Sequence, residues 1–287
     1  MKKGLILEGG AMRGMFTAGI MDVMMENGVE FDGVIGVSAG AAFGCNYKTK
    51  QIGRVIRYNT KVCRDKRYCG FRCLLKTGDI YSADFAYGEV PLKYDPFDFD
   101  TYMSNPLEFY VVCTDIERGE PVYHKYEGWN DHGFDWIRAS ASMPLVSKNV
   151  EIDGMKLLDG GISDSVPIKF FEAQGYDRNI IVLTRPKEYI KKKNSILPLI
   201  KLKYRKFPKM VAKMADRHNE YNDVISYINE KEQRGEVLVI RPETDLPIGR
   251  IEKDPEKLKK VYEIGRSVAE KRLADIKSFL QSAAEQA

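Results

Sequence analysis

Short apolar runs alternate with amphipathic stretches along the first fifty residues. An apolar run at residues 3–7 predicts a buried strand. The segment after it, 15–27, repeats apolar residues at helical spacing: Phe16, Ile20, Val23 and Met24. A second run at 31–35 leads into a segment, 41–47, that can open another helix. Two consecutive strand–loop–helix units predict parallel strands joined by crossover helices.

The later apolar runs extend this sheet. They predict further strands at 107–114, 121–126, 155–158, 179–184 and 236–240. Residues 186–234 read as a helical basic excursion and 255–283 as a C-terminal helix. Because the strand at 236–240 is expected to join the same sheet, we predict one α/β domain over residues 1–287. Its central sheet would be mostly parallel, with helices on both faces.

Composition and charge narrow the class of protein. Hydrophobic residues make up 44% of the 287 residues and charged residues 30%, as in soluble globular proteins. The net charge of +4 is small and dispersed, so nothing indicates nucleic-acid binding. The first apolar run stops at Glu8, too early for a secretory signal. No run approaches the roughly eighteen apolar residues of a membrane span. We therefore predict a soluble, cytoplasmic protein.

The cysteines support that location. Five are present, and none forms a Cys-x-x-Cys pair: Cys45, Cys63, Cys69, Cys73 and Cys113. An odd number without paired spacing is typical of free thiols in a reducing compartment. We expect no metal and no cofactor.

The strongest chemical signal is the sequence Gly36-Val37-Ser38-Ala39-Gly40. A G-x-S-x-G sequence between a strand and a helix is the nucleophile elbow, which lifts a serine hydroxyl into a cleft. Gly36 and Gly40 are required there because the strand and the helix nearly touch. A purely structural turn is the alternative interpretation. The position between a strand and a helix favours Ser38 as a nucleophile.

The glycine-rich turn at residues 9–14 is the candidate oxyanion hole. Its backbone N–H groups lie between a strand and a helix N-terminus, where they can converge on negative charge. Dinucleotide binding would require a glycine where Ala11 stands. A phosphate-binding P-loop would require Gly-Lys-Ser/Thr, which the turn lacks. A tight turn without a ligand is the remaining alternative.

The general base has two candidates. Ser38, Asp159 and His218 occur in the chain order of an α/β-hydrolase triad. His218, however, lies in a highly charged helical stretch that suits a solvated face. Asp159 ends a predicted strand and precedes two glycines, so it could serve as the base itself. A simple Asp-initiated turn is the third interpretation of this position.

Together these motifs resemble the patatin-like phospholipase family, in its bacterial cytoplasmic branch. The resemblance rests on three ordered motifs: residues 8–14, 36–40 and 159–161. It covers nearly the full length, including segments 53–59, 74–79 and 239–242. It implies a three-layer α/β architecture and an acyl hydrolase for phospholipids, lysophospholipids or similar esters.

The resemblance also implies roles for individual residues. Ser38 would be the nucleophile and Asp159 the proton acceptor, without a histidine. Backbone amides at Gly9, Gly10 and Ala11 would form the oxyanion hole, with Arg13 supporting the turn. The remaining motif glycines are Gly14, Gly36, Gly40, Gly160 and Gly161. The segment 138–144 resembles a family segment beside the active site, and we assign it no chemical role.

Ala11 departs from the family pattern, in which many members have glycine. An alanine keeps its amide, so donation survives if the backbone angle tolerates a Cβ. If this position needs a positive φ, the hole is distorted. A catalytically silent lipid-binding protein is therefore an alternative to an enzyme.

A basic segment at residues 185–213 suggests how substrate is reached. It holds eleven Lys or Arg against one acid, Glu188, with apolar residues interleaved. This composition favours peripheral contact with an anionic membrane surface. A solvated helical face packed on the core is the alternative.

Overall fold

A central sheet organises residues 1–281, the part of the chain that the computed structural model describes. Its eight strands are β1 Lys2–Leu7, β2 Gly33–Val37, β3 Glu108–Asp115, β4 Glu120–Lys125, β5 Val150–Ile152, β6 Met155–Asp159, β7 Tyr176–Val182 and β8 Val237–Ile240. Following hydrogen-bonded neighbours through the sheet gives β5-β6-β3-β2-β1-β7-β8, and β4 pairs with the other edge of β3.

Helices occupy most of the connections. They are α1 Gly14–Glu26, α2 Ala39–Lys48, α3 Arg54–Val62, α4 Phe71–Thr77, α5 Phe99–Ser104, α6 Asp135–Ser140, α7 Ile168–Ala173, α8 Leu197–Lys203, α9 Pro208–Gln233 and α10 Pro255–Gln281. A π-helical segment, Asp84–Tyr94, and two 3₁₀ turns, Ala11–Arg13 and Gly160–Ile162, complete the set. No helix within residues 1–281 is both long and apolar enough to cross a membrane.

The prediction of a mostly parallel sheet is confirmed for five strands. β3, β2, β1, β7 and β8 run parallel to their neighbours. β4, β5 and β6 form an antiparallel end that the apolar pattern did not predict as such. A two-residue turn at Asp153 and Gly154, both with positive φ, joins β5 to β6. An Asp-Gly pair is a hairpin signal, so the sequence did carry a mark of this end.

Helices cover both faces of the sheet, as the sequence predicts. Along β1, Leu5 and Leu7 join the hydrophobic cluster that holds α1, α2 and α10. Ile6, which points the opposite way, joins the cluster that holds α7 and α9. Because successive side chains of a strand point to opposite faces of the sheet, β1 contributes to two separate hydrophobic clusters.

The late elements return to the same sheet. β8 pairs with β7 in parallel register, and α8 and α9 lie within the predicted excursion at 186–234. α10 begins at the predicted residue 255, and positions 282–283 of the predicted helix lie outside the described residues. The prediction of one domain over residues 1–287 stays a prediction.

Two small residues let α10 lie directly against α1. A Cβ on Gly265 would lie 2.0 Å from the Phe16 carbonyl oxygen, and one on Gly19 would lie 2.2 Å from the Tyr262 carbonyl oxygen. The Tyr262 hydroxyl donates to Asp22 Oδ2 at 2.7 Å across this interface. Close backbone contact and a buried hydrogen bond together fix the position of α10.

We expect Gly265→Ala to destabilise the protein by about 1–3 kcal/mol, because its Cβ forces the two helix backbones apart. Urea unfolding followed by circular dichroism measures this loss. Gly88→Ala is the matched control, since an added Cβ there meets no neighbour within 4 Å. Equal midpoints for the two variants would contradict the close packing of α10 on α1.

Candidate active site

Ser38 occupies a strained turn between β2 and α2. Its φ of +56° and ψ of −119° lie in a region that residues with a side chain rarely adopt. A Cβ on Gly36 would lie 2.4 Å from the Gly40 carbonyl oxygen, and one on Gly40 would lie 2.3 Å from the Leu7 carbonyl oxygen. The glycines of the motif are therefore fixed by backbone contact, and the geometry is that of a nucleophile elbow.

Ser140 holds this elbow in place. Its Oγ, at the end of α6, accepts a hydrogen bond from the Ser38 backbone N–H at 2.8 Å. The same hydroxyl donates to the Val112 carbonyl oxygen on β3 at 2.6 Å. Sequence reasoning gave the segment 138–144 no role. A run of small residues closing a short helix was the available signal, but nothing in it identifies the partner.

The neighbouring strand places Asp159 beside Ser38. β4 takes one edge of β3 along residues 110–115, so β2 and β6 must share the other edge. β2 pairs with β3 as far as Val37, which lies opposite Val112. The antiparallel β6 occupies the same edge from the next position, where its last residue, Asp159, lies opposite Cys113. The last residue of β6 therefore lies where β2 ends and the elbow begins.

Asp159 is buried and hydrogen-bonded. Its carboxylate accepts the Gly161 N–H at 2.8 Å. Its carbonyl oxygen accepts the Thr114 hydroxyl at 2.9 Å. Asp159 is only 8% exposed. Burial raises the pKa of Asp159, and the neighbouring Ser38 side chain and the Arg217 charge only partly oppose that rise.

The glycine-rich turn approaches the nucleophile from β1. A Cβ on Gly9 would lie 2.9 Å from Ser38 Cβ, so this position requires glycine. Ala11 has a φ of +50°, and an alanine in the left-handed region costs about 1–2 kcal/mol. The N–H groups of Gly10 and Ala11 meet no hydrogen-bond acceptor among residues 1–281. Both N–H groups are thus available to an oxyanion. The turn conformation is retained with alanine at position 11, although its backbone is strained.

Glu8 braces the turn from the opposite side. Its carboxylate accepts the Thr184 N–H at 2.6 Å, the Thr184 hydroxyl at 3.0 Å and the Tyr221 hydroxyl at 2.7 Å. The Arg13 Nε is buried and has no hydrogen-bond partner within residues 1–281. The supporting role expected of Arg13 stays a prediction. An acid at the end of an otherwise apolar strand was the sequence signal for Glu8.

The other motif glycines lie where a neighbour crowds the backbone. Gly14 faces Phe43, Gly160 faces Val112, and Gly161 lies beside Asp159. All the predicted motif positions therefore surround the elbow and the end of β6.

A largely apolar cavity opens beside Ser38 and Ala11. Aromatic and aliphatic side chains line it, including Phe43, Tyr58, Tyr87 and Val90. The π-helical segment Asp84–Tyr94 supplies one wall through Ala86, Tyr87, Val90 and Pro91. This lining suits an apolar ligand group beside Ser38.

The histidines have other surroundings. His124 Nε2 is 2.6 Å from Asp131 Oδ2, and His132 Nε2 is 3.2 Å from Asp153 Oδ1. His218 lies on α9, and its buried Nδ1 has no hydrogen-bond partner within the described chain. Within residues 1–281, no group of three or more His, Cys, Asp or Glu could hold a metal ion.

Comparison with known proteins agrees with the motifs. Residues 5–171 match the model of the family described as patatin-like phospholipase. Residues 207–281 match a second model, described as a domain of unknown function (DUF6363).

Individual relatives point to the same family. The uncharacterized protein YjjU of Escherichia coli is 30% identical over 193 residues, covering 64% of this chain and 52% of that protein. Lysophospholipase nte1 of Aspergillus niger is 28% identical over 187 residues, covering 61% of this chain and 11% of that protein. The chain therefore spans about half of YjjU and about a tenth of nte1. The crystal structure of VipD from Legionella pneumophila aligns over 96% of this chain and 67% of that chain, at 12% identity and a TM-score of 0.47.

We expect Asp159→Asn to stabilise the protein at high pH. A carboxyl whose pKa is raised on folding stabilises the fold fully only below its unfolded pKa, and this contribution is lost as pH rises through the folded pKa. Asparagine does not titrate, so its advantage over Asp159 grows with pH. Urea unfolding between about pH 4 and pH 8, a range that starts near an ordinary aspartate pKa, measures it. The exposed Asp177→Asn is the control, and a pH-independent difference for Asp159→Asn would contradict the raised pKa.

Proposed function

The chain belongs to the patatin-like phospholipase family, and on that premise we propose that it hydrolyses acyl esters of phospholipids or lysophospholipids. The observation that carries the proposal is that Ser38, in a strained elbow, lies beside the buried Asp159, where β6 takes over the edge of β3 that β2 leaves. The apolar cavity beside Ser38 supplies room for an acyl chain. Lysophospholipase nte1 and YjjU are similar to this chain only over part of their length, and they lend support at the level of the family.

The mechanism that we propose uses Ser38 and Asp159 as a dyad. Ser38 Oγ attacks the ester carbonyl carbon while its proton passes to the Asp159 carboxylate. The N–H groups of Gly10 and Ala11 stabilise the oxyanion that forms. The tetrahedral intermediate collapses, Asp159 returns the proton to the leaving alcohol, and an acyl-enzyme remains. Asp159 then takes a proton from water as the water attacks the acyl carbonyl. The second tetrahedral intermediate collapses, Asp159 returns this proton to Ser38 Oγ, and the fatty acid is released.

The burial of Asp159 helps a carboxylate to act as this base. An ordinary aspartate has a pKa near 4, far below that of a serine hydroxyl, so proton transfer to it is uphill. Burial raises the pKa of Asp159 and narrows that gap. Each well-placed oxyanion donor contributes a further ~3–4 kcal/mol to the transition state.

Two other functions remain to be tested against the dyad. A triad with His218 would need hydrogen bonds from its imidazole to Asp159 and Ser38, and its Nδ1 has no such partner among the described residues. A catalytically silent lipid-binding protein is suggested by the strained Ala11. Within residues 1–281 the N–H groups of Gly10 and Ala11 have no hydrogen-bond acceptor, which favours a functional oxyanion hole over a silent protein.

Labelling with an alkyl fluorophosphonate tests all three functions. We expect the wild-type protein and His218→Ala to be labelled at similar rates, since the dyad does not use the histidine. Ser38→Ala should not be labelled, and Asp159→Asn should be labelled at least about a hundredfold more slowly, the lower range of general-base catalysis. Intact-protein mass spectrometry measures the label. Loss of labelling in His218→Ala would support the triad, and an unlabelled wild type would support the silent protein.

We further propose that the protein works in the cytoplasm and docks on anionic membranes through its basic segment, 185–213. α8 packs through Ile200 and Tyr204 on a cluster that includes Leu158 and Ile162, the residues flanking the Asp159–Gly161 motif. Two of its exposed side chains are large and apolar: Leu199 is 58% and Leu202 is 70% exposed, and Ile190 nearby is 70% exposed. Lysines interleave with them, a composition that suits an anionic interface.

We expect the double variant Leu199→Asp/Leu202→Asp to lose co-sedimentation with anionic liposomes, because it removes apolar area and adds negative charge. The wild type should bind vesicles that contain phosphatidylserine and bind pure phosphatidylcholine vesicles weakly. Met103→Asp on α5 is a matched control, since Met103 is also 58% exposed. Equal, negligible sedimentation of the wild type with both vesicles would contradict docking.

A further inference from the structure

Three cationic side chains lie within electrostatic range of one another near Asp159 and form no salt bridge among the described residues. They are Arg13 in the glycine-rich turn, Lys191 after β7 and Arg217 on α9. None of them forms a salt bridge with a carboxylate among residues 1–281. Arg185, their cationic neighbour, pairs with Asp245 at 2.7 Å. We call Arg13, Lys191 and Arg217 the cationic cluster.

Arg217 ties this cluster to the catalytic base. Its Nε donates to the Gly161 carbonyl oxygen, and its Nη2 lies 3.5 Å from Ser165 Oγ. A Cβ on Gly161 would lie 3.0 Å from Arg217 Nη2 and 3.1 Å from Asp159 Oδ1. The guanidinium and the carboxylate therefore flank the same glycine, two residues past the end of β6.

Lys191 is held in position from two sides. Its backbone N–H donates to Asn222 Oδ1 at 2.9 Å, and its carbonyl accepts the Asn222 amide at 3.1 Å. Its Nζ lies 3.9 Å from the centre of the Tyr221 ring. The Tyr221 hydroxyl in turn donates to Glu8, the residue that precedes the glycine-rich turn. Lys191 is thus fixed near the oxyanion turn without a direct carboxylate partner.

The acidic groups nearby offset only part of these charges, because Glu8 acts on all three cations and Asp159 on Arg217 but neither forms a salt bridge with them. The hydrogen bonds of Glu8 come from Thr184 and Tyr221, which are neutral donors. Burial, and then the charge of Arg217, lower the pKa of Lys191 to about 7. Burial likewise lowers the pKa values of Arg13 and Arg217, and Arg185 adds to the effect on Arg13. Like charges held together in a partly buried site stabilise a bound anion.

We propose that Arg13, Lys191 and Arg217 form a phosphate-binding subsite that recognises substrates carrying a phosphate group near the scissile ester. Guanidinium and ammonium groups together supply the charge and the donors that phosphate oxygens accept. The proposal rests on the proposed hydrolase function and names its substrate class. Lys191 and Arg217 lie beyond the family match at 5–171, whereas Arg13 lies within it, so the C-terminal part of the chain completes the subsite.

A pair of substrates that differ only in phosphate tests the subsite. We compare the kcat/KM for 1-octanoylglycerol 3-phosphate with that for 1-octanoylglycerol, both as monomers in solution. The wild type should favour the phosphate, and Lys191→Met should lower this preference about tenfold, the loss of one charge-assisted hydrogen bond. Lys260→Met, an exposed lysine on α10, is the matched control. An unchanged preference in Lys191→Met would overturn the proposal.

Direct binding distinguishes the source of the phosphate and does not depend on hydrolysis. Isothermal titration of the wild type and Lys191→Met with glycerol 3-phosphate and with inorganic phosphate should show binding that weakens in the variant. Tighter binding of glycerol 3-phosphate supports a substrate headgroup. Equal binding of inorganic phosphate supports occupancy by the free ion. Binding of neither anion, in a protein whose Ser38 reacts with the fluorophosphonate, would overturn the subsite but not the hydrolase. Lys191-dependent binding in a protein that is not labelled would overturn the hydrolase alone.

Discussion

The strained backbone of Ser38 is the constraint on which the rest of the site depends. A φ of +56° is unfavourable for a residue with a side chain, so the surroundings must impose it. β1, β2 and α2 meet there without room for a Cβ at Gly36 or Gly40. Ser140 then fixes the Ser38 amide from α6 and ties it to β3. Contacts from β1, α2 and α6 therefore hold the backbone of the elbow in place.

The same edge of β3 brings Asp159, the proposed base, to Ser38, the proposed nucleophile. Where β2 leaves that edge at Val37, β6 takes it over with Asp159. The antiparallel end of the sheet therefore has a functional consequence, because it delivers a carboxylate from more than a hundred residues away in the chain. The oxyanion turn follows β1, at the point where the strand order reverses toward β7, the usual place for ligands in open α/β sheets.

The C-terminal third changes the electrostatics of this edge. α9 lays Arg217 against Gly161, and Tyr221 of the same helix reaches Glu8 behind the glycine-rich turn. Burial raises the pKa of Asp159 while these cations oppose part of the rise. A buried carboxyl group near cations that form no salt bridge within residues 1–281 supports the proposal of an anionic ester as substrate. The left-handed backbone of Ala11 is strained, and its N–H has no hydrogen-bond acceptor within the described chain.

The sequence by itself determined the local features. Period-2 and helical apolar patterns marked most strands and helices, and the G-x-S-x-G and Asp-Gly-Gly motifs marked Ser38 and Asp159. These features depend on neighbours in the chain, so a single sequence carries them. Only the tertiary structure decided that β6 continues the edge that β2 leaves, that Ser140 holds the elbow, and that Arg217 lies beside Gly161. Such contacts join residues far apart in sequence, and a free serine or arginine carries no local mark of the partner it will meet.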